Sequence, residues 1–379
     1  MATEVLPDER TLRSGRRQRA LEQMAAHDLD VLVLGRQANV RYVTGAPQLW
    51  VAGTRPFGPS CVLVRETGAV HLLSTWDEGI PEDIPHENLY GISWNPMNTM
   101  SALQRIPGAA TARRVGTDAL SPVFARLLPT AFPNAQLVDG ELAMRAARRI
   151  KTAEEIAALR RSVAVVESAL AAAVSELRPG VSEQALAGVL LEASAAGGVS
   201  TPSNQDVAWV TSRTHPWRRA GGPDRAQGRI QDGDLVAFSA GVLAGGYVGE
   251  VGRTWPADRK HAPNGAAALY ARWEGLWGRL IAACRPGAGA GELLAAYQAA
   301  GEPEPPMPVA RGLGMGFDPP VVSKHLPSTA AEERLEPGMV LAVTGYVWAE
   351  GVGAVFGREA VLITADGPEV LTASPSWQP

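Results

Sequence analysis

The sequence predicts an α/β (α+β) chain of two domains, the second of them built from one unit used twice. Three observations carry that expectation. Residues 233–255, GDLVAFSAGVLAGGYVGEVGRTW, run from a glycine turn into an apolar strand, turn again at Gly245 and Gly246, and return from Tyr247 to Trp255 as a hairpin. Residues 338–345, GMVLAVTG, restart the pattern, and Thr344 stands six residues after Gly338 as Ser239 stands six after Gly233. LRPGVSEQAL at 177–186 and CRPGAGAGELL at 284–294 each put an Arg-Pro-Gly break and a helix-like apolar pattern about 50 residues before one of these strands. A repeat that cannot bury its apolar face alone implies two halves on a shared core, with mirrored strand positions meeting near a pseudo-twofold axis.

In chain order, residues 11–28 read as an amphipathic helix, 29–35 as a buried strand, and 36–45 as a helical turn closed by a glycine. Cys61–Val64 and Val70–Ser74 form a hairpin about Glu66, Thr67 and Gly68. The stretch 45–60, with Gln48, Trp50, Arg55 and Phe57, is too polar and glycine-rich for core, and 76–96 reads as irregular. A strand at 115–118, a helix at 122–128 and a strand at 136–138 complete an alternating αβ pattern, followed by an Arg-rich connector at 141–150. The boundary falls near Lys151, giving domains 1–150 and 151–379, and Thr152 with Glu155 has the form of a capping box. A long Ala/Leu-rich helix at 153–177 and a helix at 182–195 follow. A strand at 204–210 then leads to a loop carrying His215, Trp217, Arg218 and Arg219.

Charged residues are 20% of the 379 and the formal net charge is −4, which argues against a nucleic-acid surface. Cys61 and Cys284 are the only cysteines and fit reduced structural thiols better than a disulfide framework. The first twenty residues lack an apolar run and no 18-residue apolar stretch occurs, so a soluble, cytoplasmic protein without membrane contact is expected.

The ordered set LDVLVLGRQANVRYVTG, RRIKTAEEIAALRRSVAVVESAL, GDLVAFSAG, GYVGEVGRT, ARGLGMGFDPP and EPGMVLAVTG resembles the pita-bread superfamily of creatinase, prolidase and aminopeptidase P, and covers almost the whole chain. The resemblance implies a creatinase-like αβ domain followed by a pita-bread domain with an internal pseudo-twofold repeat. It also implies a homodimer in which the loop bearing Trp50 and Arg55 reaches the partner's pocket; a plain surface loop is the alternative. In metal-dependent members of the superfamily two Asp, one His and two Glu hold two metal ions. Here those positions read Ser239, Glu250, Arg311, Thr344, and either Glu359, if one loop residue is deleted, or Arg358 if the strand is aligned without a gap. Arginine has no lone pair to give and brings a fixed positive charge, so no dinuclear metal centre and no other cofactor is expected. An alternative site using His215 or His325 stays open.

Glu250 is the favoured catalytic carboxylate, with Glu359 second and His215 as general acid or base, because imidazole titrates near neutral pH. The alternative for His215 is a solvent-facing residue before a proline. Arg311 either clamps a substrate carboxylate or neutralises Glu250 or Asp318; Asp318 itself reads as a turn residue. Ser239 reads as a satisfied buried hydroxyl rather than a nucleophile, since no nucleophile elbow surrounds it. Ser239, Thr344, Tyr247, Trp217, Trp50 and Arg55 complete the candidate substrate-binding set. Two functions follow. One is a metal-independent creatinase-like hydrolase or lyase acting on a C–N bond of a small polar molecule. The other is a non-catalytic protein of the same fold that binds a small ligand or partner. Metal-dependent Xaa-Pro peptidase activity is disfavoured by the missing ligands.

Overall fold

The computed structural model describes residues 8–46, 58–74, 79–91, 95–118, 120–199, 201–203, 207–215, 218–220, 228–258, 260–326 and 333–378. The chain forms two compact units, Met1–Glu154 and Glu155–Pro379.

The first unit opens with helix α1 (Glu9–Ala26), capped by Asp8, whose carboxylate accepts the Thr11 backbone N–H at 3.0 Å. Leu12, Arg16, Ala20 and Met24, four residues apart, form its buried stripe. Then follow β1 (Val31–Leu34), α2 (Gln37–Thr44), β2 (Cys61–Val64), β3 (Val70–Leu73), β4 (Leu89–Tyr90) and α3 (Pro96–Gln104). The unit closes with β5 (Arg114–Thr117), α4 (Pro122–Ala131), β6 (Gln136–Asp139) and α5 (Glu141–Arg149). Among the described residues they make a six-stranded sheet in the order β4-β3-β2-β1-β5-β6. β1 pairs antiparallel with β2 and parallel with β5. Asp118, beyond the end of β5, accepts the backbone N–H groups of Gly35 (2.8 Å) and Arg36 (3.0 Å), and so fixes the turn into α2.

Two sequence expectations are corrected in this unit. The span 141–150 is not a connector. Its α5 helix buries Ala143, Met144, Ala147 and Arg148, and the Arg148 guanidinium reaches Glu141 at 3.3 Å. Arg145 is exposed, Arg149 half-buried and Arg148 buried beside the apolar stripe of an amphipathic helix, so the arginines belong to a packed element. The span 76–96, read as irregular, contains a 3-10 turn at His86–Asn88 and the short β4.

The second unit begins with α6 (Ala153–Ser175) and α7 (Glu183–Ala196), then β7 (Ala208–Val210), β8 (Leu235–Ala244) and β9 (Tyr247–Pro256). Helices α8 (Ala266–Ala283) and α9 (Glu292–Ala300) precede β10 (Ala310–Leu313), β11 (Phe317–Val322), β12 (Val340–Ala349), β13 (Gly353–Thr364) and β14 (Gly367–Val370). The strands join in the order β11-β10-β12-β13-β9-β8-β7, with β14 paired to β13. The two long hairpins, β8-β9 and β12-β13, meet where β9 pairs antiparallel with β13 at Gly252 and Arg358. The repeated unit is therefore a repeated hairpin, and the local axis runs between β9 and β13. Asp318, expected in a turn, lies on β11 and is fully buried, opposite Gly312.

Side chains alternate across these strands, so each strand has a helix-covered face and an opposite face. On the covered face, a Cβ at Gly249 would sit 2.8 Å from the Val163 backbone nitrogen of α6. The paired glycines 345 and 357 leave room for the Trp273 ring of α8, whose Nε1 donates to the Gly345 carbonyl at 3.1 Å. Cys61 and Cys284 are buried free thiols whose pKa values burial pushes up to about 12. No described helix is long and apolar enough to cross a membrane.

Gly252 is the tightest point on the open face, where an added Cβ would lie 2.5 Å from the Phe356 ring and 2.8 Å from the Arg358 backbone nitrogen. Gly252→Ala is expected to lower stability by about 1–3 kcal/mol through overpacking. Gly278→Ala on α8, where the added carbon meets nothing within 4 Å, is expected to raise it by roughly 1 kcal/mol. Urea denaturation of the two variants measures both, and a neutral Gly252→Ala would refute this account of the hairpin contact.

Candidate functional site

One lateral row of the second sheet assembles the site. Ser239 on β8 pairs with Gly252 on β9, Gly252 with Arg358 on β13, and Arg358 with Thr344 on β12. Residues in register across neighbouring strands point to the same face, so Ser239, Arg358 and Thr344 share the face away from the helices. Glu250, two residues before Gly252, joins them by the same periodicity. So does Arg311 of β10, which pairs with Ala342, two before Thr344.

Arg358 is the hub. Its Nε donates to Thr344 Oγ1 at 3.1 Å, and its Nη1 donates to Ser239 Oγ at 3.3 Å and to Glu250 Oε2 at 3.2 Å. Arg311 Nη2 forms an ion pair with the other carboxylate oxygen, Glu250 Oε1. Both oxygens of one carboxylate are therefore engaged by guanidiniums from two strands. Burial lowers the Arg311 pKa from its usual range, Glu250 opposes that shift, and the neighbouring Arg358 adds to it. The backbone that carries Thr344 is held from behind by the Tyr297 hydroxyl, which donates to the Thr344 carbonyl (2.9 Å) and accepts the Tyr346 N–H (3.0 Å).

Beside this polar row lies an apolar cluster of Ala237, Tyr346, Ala354 and Phe356, flanked by Trp209, Met307 and Trp348. The Arg358 guanidinium sits 5.2 Å from the Phe356 ring centroid, and Trp209 meets Phe356 at 5.5 Å. Sequence reasoning missed this wall. Strand periodicity was the available signal, since Tyr346 and Phe356 fall an even number of residues from Thr344 and Arg358.

Of Arg358 and Glu359, Arg358 is the one on the open face. Glu359, expected as a catalytic carboxylate, points to the helix-covered face. There Arg253 binds it through Nη1 (2.9 Å) and Nη2 (3.0 Å), and the Thr372 hydroxyl donates to it. Burial raises the Glu359 pKa, an effect opposed chiefly by Arg253. The reason is the two-residue period: a one-residue gap in the alignment exchanges the faces of the strand. Tyr247, expected to touch substrate, is corrected on the same ground. It is three residues from Glu250, faces the helices, and donates its hydroxyl to Glu155 of α6 at 3.0 Å.

His215 lies in an exposed turn, its backbone N–H on Ser212 Oγ (3.0 Å) and its Nδ1 2.9 Å from Thr214 Oγ1. The Ser212 carbonyl accepts Trp348 Nε1 at 3.1 Å, which ties this turn to the apolar wall. Among the described residues, His215 makes no hydrogen bond to the Glu250 group. Trp50, Arg55 and Trp217 lie outside the described residues. Among the described residues, no three His, Cys, Asp or Glu side chains are grouped as metal ligands, and His325 stands in a turn on Ser323 Oγ.

Comparison with known proteins places this geometry. Residues 157–365 match the model of metallopeptidase family M24. The chain belongs to that family. Residues 16–150 of this M24 chain match the creatinase/prolidase N-terminal domain. An uncharacterized hydrolase/peptidase, y4tL, from Sinorhizobium fredii is 24% identical over 93% of this chain and 92% of its own length. Creatinase from a Bacillus species is 24% identical over 95% and 90%. The crystal structure of the prolidase from Pyrococcus horikoshii superposes with a TM-score of 0.76 at 20% identity, covering 95% of this chain and 99% of that one. The α/β architecture and the pita-bread second domain are those of prolidase structures.

Removing Arg253 would leave the Glu359 carboxylate buried without its cation. Arg253→Met is therefore expected to cost about 3–5 kcal/mol, measured by urea denaturation of the whole chain. Arg253→Met with Glu359→Gln is expected to recover part of that loss. A single variant as stable as the parent would show that the pair is not structural.

Proposed function

We propose that this M24 chain is a hydrolase that works without a dinuclear metal centre on a C–N bond of a small polar molecule. In this reading Glu250 is the carboxylate that accepts and returns the proton, and Arg311, Ser239 and Thr344 hold the substrate. The observation that carries the proposal is the pair of guanidiniums, Arg311 and Arg358, on the two oxygens of Glu250.

The family's description implies bound metal, and the donors present do not suit a pair of divalent ions. Two such ions need several converging anionic or imidazole ligands. Here two hydroxyls, two guanidiniums and one carboxylate occupy the row, and the guanidiniums already take both carboxylate oxygens. A cation near Glu250 would face two fixed positive charges and would have to displace them.

What the residues can do follows from their contacts. Each Glu250 oxygen accepts one guanidinium and keeps a further lone pair, so Glu250 can take a proton from an attacking water, and a bound substrate group that draws Arg358 away makes it a stronger base. Ser239 and Thr344 are then left to hydrogen-bond the ligand. His215, on its exposed turn, is the second proton carrier of this proposal. A homodimer belongs to it too, with the loop carrying Trp50 and Arg55 completing the partner's pocket. Sedimentation velocity tests that part, and a monomer at micromolar concentration would remove it.

A second reading has a specific observation behind it. Because both Glu250 oxygens are engaged, the site could bind a small ligand without turning it over.

Elemental analysis of protein purified without chelator is expected to find less than one equivalent of transition metal per chain. Hydrolysis of any responding amide, amidino compound or amino-acid derivative is expected to survive EDTA. Glu250→Gln should lower kcat by about 10²-fold or more. Two bound metal equivalents with EDTA-sensitive turnover would end the metal-free proposal. Unchanged turnover in Glu250→Gln would end the role given to that carboxylate.

A further inference from the structure

Carboxylate and guanidiniums are not presented equally to the outside. The Glu250 side chain keeps 2% of its surface exposed, whereas Arg311 keeps 11% and Arg358 keeps 14%. Asp318, the carboxylate on the strand beyond Arg311, is fully buried. The negative charge that pairs the two arginines thus lies beneath them, and a ligand arriving on this face meets their outer edges. Arg358 spends Nε and Nη1 on Thr344, Ser239 and Glu250, and its Nη2 carries no hydrogen bond among the described residues.

The surface next to that nitrogen is aromatic. Phe356, itself buried, supports the Arg358 guanidinium at 5.2 Å from below; the half-buried Trp209 packs on it, and Arg219 lies 5.4 Å over Trp209. Trp348 and Met307 continue the wall, both only partly buried. A cationic edge against a flat apolar wall, with a further guanidinium on its far side, matches a molecule with one anionic group and one flat apolar body.

We propose that Arg358, flanked by Arg311, receives the carboxylate of a small acid whose flat apolar body lies against the half-buried rings of Trp209 and Trp348. The substrate class is thereby an aryl or similarly flat carboxylic acid derivative rather than a neutral or cationic one. The inference rests on the metal-free reading only in taking the two guanidiniums as permanent occupants of the row; it does not require turnover. The incoming carboxylate would compete with Glu250 for Arg358, the exchange that frees an oxygen of Glu250.

Isothermal titration of the full chain with benzoate, benzamide and acetate tests it. Benzoate is expected to bind at least tenfold tighter than benzamide, which keeps the ring and loses the charge, and tighter than acetate, which loses the ring. Raising NaCl from about 0.05 to about 0.5 M should weaken benzoate several-fold and leave benzamide nearly unchanged. Arg358→Gln should abolish the preference for benzoate over benzamide. Should that variant fail to fold, the salt series and the benzamide comparison on the unmodified chain decide alone. Equal affinities, no saturable benzoate binding up to about 10 mM, or a folded Arg358→Gln that keeps the preference would each overturn the proposal. The outcomes separate from those above. Benzoate selectivity without any C–N hydrolysis would sink the catalytic reading and leave this one standing, and metal-free hydrolysis of neutral amides with no benzoate binding would do the reverse.

Discussion

The second unit turns on a buried carboxylate held by cations from the other half of the repeat. Glu250 belongs to the first hairpin, and Arg311 and Arg358 come from strands of the second half. Such a group is costly to desolvate and costly to break, so it is weak support for stability and strong support for register. Sliding either hairpin by one residue would send Arg358 or Glu250 to the helix-covered face and strand a charge. The surrounding choices agree with that constraint. Gly252 lets Arg358 and Phe356 lie close over β9, and Thr344 and Ser239 cap the guanidinium from both sides.

The covered face repeats the arrangement with opposite purpose. Glu359, the chain neighbour of Arg358, pairs with Arg253, which also donates to the Ser374 carbonyl through Nη2 at 2.7 Å. Glu167 of α6 accepts the Ala373 N–H at 2.6 Å, and Trp377 meets Tyr270 of α8 edge-on at 4.8 Å. The C-terminal segment is therefore tied to the helices by the residues that the alternation of β9 and β13 turns away from the open face. One ion group organises the candidate pocket and the other fastens the tail, separated by the thickness of a sheet.

Much of the fold could be read from the residues because its signals are local and periodic. The hairpin of 235–256 and its echo at 340–364 show as apolar runs broken by glycines, and the spacing of Ser239 and Thr344 from their glycines survives as positions in one lateral row. Where composition stood in for periodicity, the reading failed. The arginines of 141–149 suggested a linker, whereas Ala143, Met144 and Ala147 already marked a buried stripe. Tyr247, expected to bind substrate, is three residues from Glu250, and an odd separation along a strand places the two on opposite faces.

By itself the sequence determined the two-part architecture and the repeated hairpin, because each depends on residue identity and short-range order. Which of Arg358 and Glu359 enters the site was decided only by tertiary structure. Chain neighbours on a strand differ solely in face, and the face is set by pairing of Arg358 with Thr344 on β12 and with Gly252 on β9, the latter more than a hundred residues away. The same sheet sealed Glu250 of β9 beneath Arg311 of β10 and Arg358 of β13, a juxtaposition of three strands that no local pattern encodes.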